Sequence, residues 1–271
     1  MAVTAALFEP DGDLLVPTEL ARGPWSPDAL HGGPTAAIAV RAAERHLASM
    51  PDREDPGVSW QVARLTLELL RPVPLMPLRL DTRPSRPGRK VARVETSIQA
   101  GDREVARSVV LAIRREPVLL PARISPIPAP EGPESARETG VPPGAGEWPA
   151  FHNQGVEMRF VRGEWRQPGP VEVWMRLRVP VVQGEEPSAA VRAASVADFG
   201  NGVSSELDFG AWRFLNPELS LHLARPPEGE WICLDARTIH GDLGAGLAES
   251  ALSDRVGVFG RAVQSILVER A

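Results

Sequence analysis

The sequence predicts an α+β protein built twice over, each half an antiparallel sheet wrapped around a long central helix. Three observations predict it. The stretch LTLELLRPVPLMPLRLDTR at 65–83 returns without a gap as LSLHLARPPEGEWICLDAR at 219–237, at a constant offset of 154 residues. A repeat at half the chain length indicates duplication, since its period is far too long for a solenoid. Each half then reads as one helix followed by a run of strands, and a stretch dense in proline and glycine separates them.

Within the repeat, Leu65, Leu67, Leu69, Arg71, Pro72, Leu80, Asp81 and Arg83 fall on Leu219, Leu221, Leu223, Arg225, Pro226, Leu234, Asp235 and Arg237. The first half, 1–116, opens with FEPDGDLLV at 8–16, a hairpin with Asp11 and Gly12 as turn residues. HGGPTAAIAVRAAERHL at 31–47 predicts a helix with Pro34 in its first turn. Strands are expected over 58–71, 77–84, 89–100 and 103–114, the last two joined by the AGD turn at 100–102. Residues 117–150 read as an extended linker, because proline withdraws ladder donors and restricts its predecessor.

The second half, 151–271, repeats the plan. Strands at 156–162 and 170–180 precede a helix, PSAAVRAASVAD at 187–198, and strand-like runs cover 210–223, 231–240, 244–252 and 256–269. PTAAIAV at 34–40 matches PSAAVRA at 187–193, so the helix is duplicated as well. Ala36, Ala37 and Val40 recur as Ala189, Ala190 and Ala193, small side chains on which a curved sheet can close. A tandem of sheets wrapped around helices is the hot-dog arrangement.

Composition bounds the function. The 271 residues are 43% hydrophobic and 24% charged, the balance of a globular protein with room for two cores. A net charge of −5 argues against a nucleic-acid partner, which needs a concentrated basic face. The single cysteine, Cys233, cannot form an internal disulfide and fits a reducing compartment. The first twenty residues lack the pattern of a signal peptide, and no apolar stretch reaches the ~18 residues of a membrane span. The expectation is a cytoplasmic protein with no membrane partner. The five histidines are scattered without metal-ligand spacing, and no G-x-S-x-G elbow is present, so neither a metal site nor a serine triad is expected.

Three residues of the second half break apolar patterns. Gln264 interrupts a stripe of Val256, Val258, Ala262, Ile266 and Val268, and its counterpart in the first half is Val110. A buried amide needs partners, either a functional site or the backbone of the core. Asn216 likewise replaces Val62, and Pro217 beside it marks a possible bulge that leaves its direction open. Asp198 is expected in the last turn of its helix, ended by Gly200, Asn201 and Gly202, where the dipole disfavours an acid. It is either exposed at a frayed end, or a general base whose pKa burial moves toward neutrality.

HGGPTAA, RLTLELLRPVPL, ADFGNG, LNPELSLHLARPPEGEW and VFGRAVQSILVER together resemble the acyl-CoA thioesterase II group, the double hot-dog thioesterases. The resemblance covers the chain outside the linker and the first few residues. It implies hydrolysis of acyl-CoA to free acid and coenzyme A, with no cofactor beyond the coenzyme A of the substrate, and a homodimer. It also implies a water handled by an aspartate, a threonine and a glutamine, which match Asp198, Asn216 and Gln264. Asn216 departs from the family's threonine and cannot act as a hydroxyl nucleophile. The reading is therefore water attack, with Asn216 and Gln264 orienting the water and Asp198 accepting its proton. One site per chain is expected, completed by the first half. There Gly32 and Gly33 open a helix whose free amides can polarise a thioester carbonyl, and His31 either contacts substrate or only turns the chain. The segment RPSRPGRK at 83–90 is either a patch for coenzyme A phosphates or a solvated hairpin. Two other functions stay open: an enoyl-thioester hydratase, disfavoured because no histidine follows Asp198 closely, and a non-catalytic acyl-thioester binder.

Overall fold

The computed structural model describes residues 5–50, 59–86, 88–121, 127–141 and 145–271. In the first half, β1 (Phe8–Asp11) and β2 (Leu14–Pro17) form the expected hairpin, turned by Gly12 at a φ of 61° that favours glycine. Helix α1 (Gly32–Ser49) follows, then β3 (Trp60–Leu69), β4 (Leu78–Arg86), β5 (Val91–Ala100) and β6 (Arg103–Arg114). The second half supplies β7 (Val156–Arg162), β8 (Val171–Leu177), α2 (Ala189–Ala197) and α3 (Phe199–Ser204). It ends with β9 (Trp212–Leu215), β10 (Glu218–Leu223), β11 (Ile232–His240), β12 (Ala245–Ser253) and β13 (Val258–Arg270). Residue 58 of the first predicted strand and residue 87 of the 83–90 segment lie outside the described residues.

All the strands join one antiparallel sheet in the order β1-β2-β4-β5-β6-β3-β10-β13-β12-β11-β8-β7, with β9 paired to the end of β13. The order within each half is the same, which is the duplication read in three dimensions. The halves meet at β3 and β10, the two strands that open the repeated motif. Leu65 lies opposite Leu221, Leu67 opposite Leu219, and Thr66 opposite its own counterpart Ser220. The seam is therefore a pseudo-two-fold contact in which the same strand pairs with its copy.

The two halves treat their helices differently. The first has one helix of 18 residues, whereas the second breaks its helix at Asp198 into segments of nine and six. This corrects the expected stop. Asp198 keeps helical angles (φ −74°, ψ −12°), and neither Gly200 nor Gly202 takes the left-handed conformation of a terminating glycine. The chain bends at Asp198 and runs on through Gly200, Asn201 and Gly202.

Small residues on α1 and α2 let the helices pack on each other as well as on the sheet. Ala36, Ala37, Ala193 and Ala194 are fully buried, and α2 contacts α1 more than any strand. The approach is close enough that a Cβ on Gly33 would fall 2.2 Å from the Ser195 carbonyl oxygen. The helices run antiparallel, so the start of α1 meets the end of α2.

The 117–150 segment is no free spacer where it is described. The Ile127 carbonyl accepts from the Val258 amide (3.1 Å), and the Glu131 carbonyl from Trp174 Nε1 (2.6 Å). Arg137 and Phe160 exchange backbone bonds of 2.9 and 2.7 Å. Between its prolines the segment pairs its remaining polar groups with the second half, because backbone groups close to a protein surface need partners.

Leu219 is fully buried on the seam. Leu219→Ala should destabilise the chain by about 2–5 kcal/mol, read as a lower urea midpoint at an unchanged slope. A loss below about 1 kcal/mol would mean that the seam is not part of the common core.

Candidate active site

The break at Asp198 places a carboxylate between two helices and the sheet. Asp198 is 6% exposed. Asn216 Nδ2 donates to its Oδ1 at 2.7 Å and Gln264 Nε2 to the same oxygen at 3.1 Å. His31 Nδ1 lies 2.9 Å from Oδ2. The three residues that interrupted apolar patterns thus converge, and the first half contributes His31 as the N-cap of α1.

His31 Nδ1 is also 3.0 Å from the Gly33 amide nitrogen. One nitrogen cannot donate to the carboxylate and accept from Gly33 at once. The carboxylate decides the tautomer: an unprotonated Nδ1 would set two lone pairs against each other at 2.9 Å. With the proton on Nδ1, the Gly33 N–H serves Asp198 as well. Burial alone drives the Asp198 pKa up. The bond and charge of His31, then Asn216 and the Gly33 amide, outweigh burial and hold the carboxyl below its ordinary range. This corrects the expected shift toward neutrality, because burial came with donors.

Gln264 owes its orientation to both ends of its amide. Its Oε1 accepts from the Asn201 amide (3.0 Å), which turns Nε2 toward the Asp198 carbonyl (3.1 Å) and carboxylate. It is 1% exposed, and β13 begins at Val258, so Val256 of the predicted stripe falls outside the strand and is exposed. Gln264 thus bonds both the backbone and the Asp198 carboxylate.

Asn216 sits at a register shift. Leu215 faces Leu267 and Ser220 faces Val263, so five steps on one strand match four on the other. Asn216 and Pro217 absorb the extra residue as a bulge. The bulge turns the Asn216 side chain toward Asp198, with a second bond of 3.3 Å to the Glu218 carbonyl.

Gly32 completes the site. A Cβ there would lie 2.6 Å from both Asp198 carboxylate oxygens. Glycine is required for this approach, and it leaves the α1 N-terminus beside the acid. Gly32 and Asn216 are half-exposed, while Asp198, His31 and Gln264 are buried, so the site opens on the Gly32–Asn216 side.

Sequence reading missed two features. The His31–Asp198 pair joins residues from different halves, so it also removes the ground on which a hydratase was disfavoured. The aromatic wall was missed as well: the His31 ring packs 4.5 Å from Phe199 and 5.4 Å from Phe151. Cys233 is buried, with its thiol pushed up chiefly by burial, as a packed apolar residue rather than a nucleophile. In the 83–90 segment Arg83 pairs with Glu95 and Lys90 with Glu116. Among the described residues no cluster has the makings of a metal site, and no helix is long and apolar enough to cross a membrane.

Comparison with known proteins shows the family. Residues 21–113 match the model of the acyl-CoA thioesterase N-terminal domain, and residues 128–268 that of the C-terminal domain. The chain belongs to the acyl-CoA thioesterase family, and it is a thioester hydrolase with the hot-dog fold. A thioesterase II candidate from Thermobifida fusca YX has a similar structure, with a TM-score of 0.73, 17% identity, and coverage of 100% of this chain and 99% of that one. A hot-dog protein of unknown function from Alicyclobacillus acidocaldarius gives 0.69, 18%, 97% and 95%. An acyl-CoA thioesterase II, TesB2, from Mycobacterium marinum gives 0.66, 14%, 97% and 96%. No curated protein matches by sequence.

Next to His31 lies His152, in the π-helical turn Phe151–Gly155, 2% exposed and edge-on to Trp165. Among the described residues neither of its ring nitrogens has a well-formed partner. Burial first, then charge on His31, push its pKa down from 6.5 to about 4, against a weaker opposing pull from the Ala145 and Gly146 backbone. The unfolded chain then binds a proton between about pH 6.5 and 4 that the folded chain refuses, so stability falls as pH drops through that window. The full effect is on the order of 3 kcal/mol. Urea titrations at pH 7 and 4.5 should show a loss that is smaller in His152→Gln. Equal losses in both proteins would mean that His152 is protonated in the folded state.

Proposed function

We propose that the chain hydrolyses acyl-CoA thioesters by water attack at one site per chain, built on Asp198 and completed by the first half. What supports this reading is the convergence of His31, Asn216 and Gln264 on one buried carboxylate beside a helix N-terminus. A carboxylate has about four acceptor positions, and here Asn216, Gln264, His31 and the Gly33 amide fill them. Asp198 is therefore the anchor of the site more than a free base.

With Nδ1 committed to Asp198, Nε2 is the basic atom of His31. It takes a proton from the water as the water oxygen bonds to the thioester carbon, and Asp198 stabilises the imidazolium that results. The Gly32 end of α1 supports the developing oxyanion. The C–S bond then breaks, and the proton passes from Nε2 to the departing coenzyme A sulfur. Asn216, at the open rim, keeps its Oδ1 to hold the water. Gln264 holds the carboxylate in plane. The reading takes no cofactor beyond the coenzyme A of the substrate, no nucleic-acid or membrane partner, and a homodimeric, cytoplasmic enzyme.

The Asp–His pair equally suits hydration of an enoyl thioester, so the assay separates the two. Release of free coenzyme A from saturated acyl-CoA, followed with a thiol reagent, supports hydrolysis. Turnover of an enoyl-CoA without thiol release supports the hydratase. Asp198→Asn and His31→Gln should each lower kcat by about 100-fold or more, and the double variant should be little worse than either, because the pair acts as a unit. Full activity in His31→Gln with loss in Asp198→Asn would return the base to Asp198 itself.

A further inference from the structure

Two consecutive residues hold His31 from different directions. The Asp198 carboxylate lies 2.9 Å from its Nδ1, and Phe199, the first residue of α3, sets its ring 4.5 Å from the imidazole at a tilt of 37°. The bend between α2 and α3 makes this possible, because it turns the acid and the next side chain toward one imidazole. Phe151 completes the packing, with its ring 5.4 Å from both His31 and Phe199. Its own place is fixed, since its amide donates to the Arg22 carbonyl (3.0 Å) and a Cβ on Gly155 would fall 2.6 Å from its Cδ2. All three rings are buried.

Packing alone would be satisfied by any apolar side chain of the right volume. A phenyl ring adds a quadrupole that is negative on its faces. An imidazole that gains a proton away from water becomes a poorly solvated cation, and a ring face within about 6 Å attracts it. The 37° tilt brings Phe199 nearer to a stacked contact, whereas Phe151 at 67° is nearer edge-on. Asp198 balances the charge at Nδ1. Phe199 can do so across the ring plane, and it has no acceptor atom to compete for the proton on Nε2. The corresponding stretch of α1 reads Glu44, Arg45 and His46, so the phenyl ring, like the two amides, belongs to the second half alone. Among the described residues the titratable groups facing His31 are Asp198 and, at longer range, His152, whose charge would oppose one on His31.

We propose that Phe199 is a positioning residue of the reaction, and that its ring face stabilises the imidazolium His31 becomes on taking the proton of the attacking water. The proposal rests on the reading of His31 as the base and adds a residue that no hydrogen bond would reveal. Weakening the quadrupole makes His31 a weaker base. Its proton uptake then moves to lower pH, and the barrier to water attack rises.

The test replaces Phe199 by mono-, di- and trifluorinated phenylalanine, which drains charge from the ring face and nearly keeps its shape. Phe199→Leu removes the ring outright, and the fluorinated series carries the prediction if that variant does not fold. The readouts are kcat and KM for a saturated acyl-CoA by thiol release, and the His31 titration midpoint by NMR of histidine-labelled protein, assigned with His31→Gln. Both kcat and the midpoint should fall in step with fluorination, by about tenfold and about one pH unit at the trifluorinated ring, with KM little changed. Values that ignore fluorination overturn the proposal and leave Phe199 a packing residue. A midpoint that falls while kcat holds overturns it too, since the cation would then lie off the reaction path. A wild-type protein that releases no thiol overturns the hydrolase reading, and this role with it, before any ring is changed.

Discussion

A buried carboxylate can stay ionised only if donors replace the water it has lost, and Asp198 is where the structure meets this demand. One donor group comes from β13, one from the bulge between β9 and β10, and the rest from the first turn of α1. No single element could supply them. The requirement fixes the antiparallel docking of α1 on α2, the absence of a side chain at Gly32, and the bend that carries α2 into α3. The site is the place where the two halves of the chain are forced into register.

The pseudo-two-fold gives Asp198 a twin. Glu44 stands near the equivalent place on α1 and meets the start of α2, where Ser188 Oγ donates to it at 2.7 Å. Burial raises the Glu44 pKa, and Ser188 only partly offsets this. Here the amides are missing, because Val62 and Val110 occupy the positions of Asn216 and Gln264. Instead Arg41 clamps Glu185 with two bonds of 2.6 and 2.5 Å across the helix start. The same scaffold thus holds a donor-rich acid, Asp198, in one half and a donor-poor one, Glu44, in the other.

Much of this was legible from residue types. The repeat announced the duplication, and its first strand proved to be the seam. Gln264 and Asn216 stood out because each is polar where its twin is valine, and Pro217 rightly signalled a break in register. The Gly200-Asn201-Gly202 run misled, since glycines near a helix end usually terminate it. Here one makes room for Ser250 and the other lines a cleft, and both reasons are tertiary. The pairing of His31 with Asp198 was out of reach for the same cause: it depends on how two helices cross. The direction of the Asp198 pKa followed from that missed contact, since burial without His31 would push it the opposite way.

The strand that faces its own copy at Thr66 and Ser220 has an evolutionary corollary. Two free, identical units meeting there would form a symmetric pair with two equivalent centres, and any substitution would strike both. Joined into one polypeptide, the units mutate independently. One can become a support that lends only a backbone amide and an imidazole, while the other keeps the chemistry.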